Sequence, residues 1–145
     1  MRVYWANSIF SEADRDFNDL CVSRMRKAGY TVCSPQEKSF NKSTAPEPDA
    51  TEIFATDTDE IVSCDLLVAC IDQECIDSGV ACEIGIAWRA GKRILGLYTD
   101  FRRNRQGEGR MYKNLYILGC IRASGGVIAG SMQELLSVLS TTSLS

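Results

Sequence analysis

The sequence predicts an α/β fold: one domain built on an open, doubly wound, five-stranded parallel sheet of flavodoxin or Rossmann-like type. Three observations predict it. Several short runs are continuously apolar rather than alternating, as strands covered on both faces must be. Segments of helical periodicity separate those runs, so each strand passes to the next through a crossover. Crossovers of this kind are right-handed and leave their strands parallel. The 145 residues leave room for a single domain of this kind.

Residues 2–6 (RVYWA) are the first strand, apolar and aromatic. A helix follows. Ser11 with Asp14 three residues later makes a capping box, and Phe10 is placed to staple it. Ala13, Phe17, Leu20, Cys21, Met25 and Ala28 then share one helical stripe. Gly29 is placed to end that helix in the left-handed conformation. Residues 30–33 read as a second strand. Residues 34–50 hold all three prolines and read as a loop, and a loop of that length in a small domain is often functional.

Residues 51–63 read as a helix and 66–71 (LLVACI) as a buried strand. Residues 79–91 are a third helix, with Val80, Ile84, Ala87 and Trp88 on its core side. Residues 93–98 (RILGLY) are the next strand. Residues 99–113 carry Arg102, Arg103, Arg105, Arg110 and two glycines, and read as a mobile loop. Residues 114–121 suit either a short helix or a strand. Residues 126–129 are the last strand. Ser131 caps a final helix with Glu134 as its capping-box partner, and Met132, Leu135, Leu136 and Leu139 form the buried stripe. The domain spans 1–139, and 140–145 form a frayed tail. The expected strand order is 2-1-3-4-5, which puts ligands beyond the carboxyl ends of the strands.

Composition narrows the chemistry. Apolar residues make up 45% and charged residues 24%, which excludes disordered, collagen-like and coiled-coil classes. No window holds the roughly 18 uncharged apolar residues of a membrane span. The N-terminus meets Asp and Glu too early for a signal peptide. Lys and Arg total 16 against 19 Asp and Glu, a net charge of -3, which argues against nucleic acid as a partner. Histidine is absent, so acid–base chemistry must rest on carboxylates, Lys, Cys or Tyr. The seven cysteines form no C-x-x-C pair and their count is odd, which suits reduced thiols in a cytoplasmic protein. Cys33, Cys64, Cys70, Cys82 and Cys120 have apolar neighbours and read as core residues. No G-x-G-x-x-G opens a helix after the first strand and no P-loop Lys is present, so neither a dinucleotide nor a Walker-type phosphate site is expected. No cofactor and no metal are expected.

Three carboxylates stand in unusual places. Glu83 is the one charged group in GVACEIGIAW, beside Gly79, Ala81, Cys82 and Gly85, whose small size leaves room for a ligand. Partial desolvation there would raise its reactivity. A partly exposed helix Glu, or one paired with Arg89 or Arg93, is the alternative. Asp57 shares a helical face with Ile53 and Ile61, so an acid falls on an apolar stripe and needs a partner or a ligand. A rotated helix, or a shorter one capped by Asp57, would leave it solvated. Asp77 precedes the third helix and suits an N-cap facing the same crevice. Carboxylates gathered at one cleft suit chemistry at an acetal-like carbon, one attacking and another handling the leaving group's proton.

The segment Asp77-Ser78-Gly79-Val80-Ala81-Cys82-Glu83-Ile84-Gly85, with Ala87 and Gly91-Lys92 after it, resembles the D-x-G-x-x-x-E-x-G…A…GK signature of the nucleoside 2-deoxyribosyltransferase family. Val3-Tyr4-Trp5-Ala6-Asn7-Ser8-Ile9-Phe10 resembles that family's first strand and loop. Asp57 with Ile61 and Asp65 resembles its N-D-x-x-x-I-x-x-x-D stretch, and Asn114-Leu115-Tyr116 its late N-L-M. The resemblance implies transfer of 2-deoxyribose between nucleobases by a retaining ping-pong route. It implies that Glu83 is the nucleophile at C1′, that Asp57 and Asp77 hold the base and manage its proton, and that Tyr4 steadies the nucleophile. It further implies substrate contacts from Phe10, Asn7, Gly79, Gln36 and Tyr116. Asn114 would be lent to a neighbouring subunit, which makes the protein a homo-oligomer. Small-molecule deoxynucleosides and nucleobases are the implied partners. Two departures stand out: Pro35-Gln36-Glu37-Lys38-Ser39 differs from the family's second-strand loop, and Tyr116 replaces Met.

Two other readings stay open. A sister group resembling this one hydrolyses deoxynucleoside 5′-monophosphates, for which Asn7, Ser8 and Ser11 with Arg102, Arg103 or Arg105 could cradle the phosphate. A non-catalytic nucleotide-sensing module would use the same fold without need of Glu83.

Overall fold

The computed structural model describes residues 1–42, 46–47, 49–105 and 112–142. In chain order the elements are β1 (Arg2–Ala6), α1 (Glu12–Lys27), β2 (Thr31–Cys33), α2 (Ala50–Ser63), β3 (Leu66–Cys70), α3 (Ser78–Arg89), β4 (Arg93–Leu97), α4 (Leu115–Ala123), β5 (Ile128–Ala129) and α5 (Met132–Thr141). Among the described residues five parallel strands form one sheet in the order β2-β1-β3-β4-β5, as expected.

The sheet is covered on both faces, which explains the unbroken apolar runs. Odd and even positions of each strand feed two separate cores. Val3, Trp5, Leu66, Val68, Leu95 and Leu97 pack with α1 and α5. Tyr4, Ala6, Leu67, Ala69 and Ile94 pack with α2, α3 and α4. β3 is buried along its whole length, and the chain first reaches the surface in the loop that follows Ile71.

Local chemistry sets the helix ends. The Ser11–Asp14 capping box forms in both directions, and Gly29 takes φ +94 after α1. Ser131 Oγ accepts from Glu134 N, but the Glu134 carboxylate turns back to Gly130 N rather than to its cap residue. The ambiguous segment is helical because Asn114 Oδ1 accepts from Tyr116 N and Ile117 N. The 34–50 segment holds two single-turn 3-10 helices, at Pro35–Glu37 and Ser39–Asn41. Part of it, 43–45 and 48, lies outside the described residues, as do Arg110 and 143–145. The last helix runs through Thr141, so a tail beginning at 140 starts too early.

Several sequence expectations shift. The buried stripe of α1 is Asn18, Cys21, Val22 and Met25, which leaves Leu20, Ala13 and Ala28 exposed. The stripe rotates because the buried Asn18 amide is drawn in by Trp5 of β1 and by the Ser8 carbonyl of the loop after it. Phe10 does not staple α1; it is 79% exposed. Trp88 and Cys82 are exposed, since among the described residues no further layer covers the outer side of α3, and Cys33 at the end of β2 is only half-buried. The described cysteines are all free thiols, with Cys33 and Cys64 Sγ 3.7 Å apart.

Candidate active site

The site lies beyond the carboxyl ends of β1 and β3. A cavity of about 240 Å³ is lined by Asn7, Ile9, Phe10, Pro35, Asn41, Ile53, Asp57, Asp77, Gly79, Val80 and Glu83. Its size falls just below the roughly 300–1,000 Å³ of drug-sized ligand pockets. Four chain segments meet there: the loop after β1, the loop after β2, α2 and the first two turns of α3 with their cap.

Glu83 projects from α3 toward the end of β1, and the Tyr4 hydroxyl donates to its Oε1 at 2.7 Å. The alternative partners Arg89 and Arg93 make no ion pair with it. Burial pushes the Glu83 carboxyl up to about 8; the Tyr4 hydrogen bond opposes the rise, and the charges of Asp57 and Asp77 add to it. Burial, then the charges of Glu83 and Asp57, push the Tyr4 phenol well above its ordinary range, so it stays a donor. Tyr4 sits inside the sheet between β2 and β3, so its hydroxyl is held by backbone pairing on both sides.

Asp77 is the N-cap of α3, with Oδ1 accepting from Gly79 N at 2.9 Å and Val80 N at 3.2 Å. Its own N–H donates to Gln73 Oε1, and Lys113 Nζ donates to the Gln73 carbonyl, so the loop bearing Asp77 is held from below. Gly79 is close-fitting as well as small: a Cβ there would lie 3.0 Å from Asp77 Oδ1. Asp57 faces the cavity from α2. Its Oδ1 is buried and has no hydrogen-bond partner among the described residues. Burial, then the charge of Glu60, raises the Asp57 pKa, and Lys38 opposes the rise.

Asn7 lines the cavity while its Nδ2 donates to Asn18 Oδ1 at 2.8 Å. Asn18 also accepts from Trp5 Nε1 and donates to Ser8 O and Gln36 Oε1, so one buried amide fixes both loops of the cavity wall. Phe10 forms the open edge.

Three sequence-predicted residues stand elsewhere. The Gln36 amide is wholly engaged with α1: it accepts from Asn18 and donates to Arg15 O and to Asp19, so it does not face the cavity. Asn114 is occupied as the cap of α4, outside the lining of its own chain's cavity. Tyr116 is 77% exposed and borders a different depression with Trp88 and Leu115. Glu37 pairs with Arg26. Of the residues suggested for a phosphate cradle, Ser11 is spent as a cap, Arg102 pairs with Asp100, and Arg105 lies over the Phe101 ring.

Asn41, Ile53 and Asn18 were not singled out in the sequence. For Asn18 a signal exists: an amide on the stripe shared with Cys21, Val22 and Met25 must find buried partners.

A family model described as nucleoside 2-deoxyribosyltransferase matches residues 3–131. No curated protein matches the chain. A conserved protein from Enterococcus faecalis V583 is 32% identical, with TM-score 0.85 over 94% of this chain and 95% of that one. A 2-deoxyribosyltransferase from Bacillus psychrosaccharolyticus is 23% identical, with TM-score 0.72 over 94% of this chain and 90% of that one. A CMP N-glycosidase from Clostridium botulinum is 22% identical, with TM-score 0.65 over 98% of this chain and 100% of that one. At those identities the last two likenesses speak for the fold alone.

Proposed function

The chain belongs to the nucleoside 2-deoxyribosyltransferase family, and from that premise we propose that it moves 2-deoxyribose from one nucleobase to another through a covalent intermediate on Glu83. The observation that carries this reading is the Glu83 carboxyl, held by the Tyr4 hydroxyl in the wall of a cavity of about 240 Å³ that also receives Asp57 and Asp77.

In the first half-reaction the ionised Glu83 attacks C1′. The C1′–N bond breaks, its electron pair leaves with the base, and an acid of the cleft supplies the base nitrogen with a proton. In the second, a new base enters, loses its ring proton to the same acid and attacks C1′, releasing Glu83. Two inversions give retention. Such an exchange recycles preformed bases, a salvage reaction, and needs no cofactor. The free thiols suit a reducing compartment such as the cytoplasm.

Transfer is favoured over hydrolysis of a monophosphate because the cavity lining holds three carboxylates and, among the described residues, no Lys or Arg. The acids would repel a phosphate. Asn114, unable to serve its own cavity, is read as completing a neighbour's site by binding the sugar 5′-hydroxyl, which makes the protein a homo-oligomer. Support for this comes from the exposed apolar residues along α2, α3 and α4: Phe54, Val62, Trp88, Leu115 and Tyr116.

The test is an incubation with a deoxynucleoside and a second free base, beside one with a deoxynucleoside monophosphate alone. Appearance of the new deoxynucleoside is expected. Release of free base from the monophosphate only would replace transfer by hydrolysis, and no turnover would leave a sensing module.

A further inference from the structure

We propose that Glu60, held by Lys38, is a positioning residue that keeps a proton on Asp57, so that Asp57 is the acid that meets the departing base. The second half of this statement rests on the transfer reading; the first does not.

Asp57 and Glu60 are three residues apart on α2 and therefore neighbours on one face. Asp57 Oδ1 and Glu60 Oε2 are both buried and both without a hydrogen-bond partner among the described residues. Lys38, from the loop after β2, is ion-paired to the other oxygen of Glu60. The pair is sheltered, with side chains 25% and 17% exposed.

Two carboxylates served by one ammonium leave an uncompensated negative charge in a partly dry wall. A proton on one of them removes it. The ammonium touches Glu60, so the proton falls to Asp57. The other titratable groups of the cavity lining, Glu83 and Asp77 on α3, bring no cation to Asp57, and neither does Tyr4 on β1. Burial and Glu60 raise the Asp57 pKa, in keeping with that placement. Asp77 is already engaged by two backbone N–H groups. The two acids of the cleft thus divide their work: Asp77 shapes α3, and Asp57 carries the mobile proton. As the C1′–N bond breaks, that proton passes from Asp57 to the base nitrogen receiving the bond's electron pair, and it returns when the next base is deprotonated.

The experiment follows the Asp57 carboxyl by carbon NMR in aspartate-labelled protein, the signal being assigned by its loss in Asp57→Asn. Glu60→Gln is expected to lower the Asp57 midpoint by roughly one pH unit, Lys38→Met to raise it, and Glu60→Asp to leave it near wild type. At neutral pH, kcat for Glu60→Gln should fall by about tenfold with KM little changed. An unchanged midpoint in folded Glu60→Gln overturns the proposal. Should that variant not fold, Lys38→Met carries the test with the opposite sign, and an unmoved midpoint there overturns it equally. Midpoints that move as stated in a protein that transfers no deoxyribose support the proton placement and defeat the transfer reading instead.

Discussion

Desolvation outweighs the Tyr4 hydrogen bond and pushes the Glu83 carboxyl up to about 8 from its ordinary 4.5. The folded state therefore binds more protons than the unfolded chain between those values, and stability falls as pH rises through that window. The stability associated with this group is complete below about 4.5 and lost by about 8. Glu83→Gln removes the penalty, so it should melt higher than wild type at pH 9 and alongside it at pH 4, in a calorimetric scan. Turnover should vanish at every pH. Tyr4→Phe acts in the other direction on the same group. It deletes the one contact that favours the ionised form, so the Glu83 midpoint should climb beyond about 8 in a carbon NMR titration. With less carboxylate present, turnover at neutral pH should fall by about tenfold or more.

At the level of elements, α3 joins structure to chemistry, since its cap and its second turn both face the cavity. Replacing Asp77 by Ala removes the cap and should cost about 1 kcal/mol in a urea melt. Asp77→Asn keeps a capping oxygen and should stay near wild-type stability. Both variants should lose activity, and that contrast separates the cap from the proton and base contacts. The strands and the caps of α1, α3 and α5 were legible in the sequence because they depend on local residue type: an apolar run, a Ser or Asp, a following Gly. Glu83 was legible for a related reason, a single charge among small and apolar neighbours. Gln36 was not, because its partners Asn18, Arg15 and Asp19 come from α1 and only tertiary packing brings them near. Trp88 failed for lack of context: a helical stripe says which residues share a face, not which face the sheet takes. Glu60 and Lys38 were illegible together, since the pairing depends on how the loop after β2 folds over α2.

Across the whole molecule, the apolar surface along α2, α3 and α4 and the position of Asn114 lead to one mixing test. Glu83→Ala and Asn114→Ala should each be inactive alone. Mixed in equal amounts and allowed to exchange, they should recover about a quarter of wild-type activity if they assemble as dimers, because half of the dimers then carry one complete site. No recovery after verified exchange would return Asn114 to a capping role only. The four segments that meet at the cavity come from both halves of the chain and are aligned by the parallel register of β2, β1 and β3. No fragment shorter than that three-stranded unit holds Tyr4, Asp57 and Glu83 in common orientation. Catalysis should therefore serve as a gauge of global folding: along a denaturant gradient, its loss should coincide with the collapse of the far-ultraviolet dichroism signal, with no active partly unfolded species between.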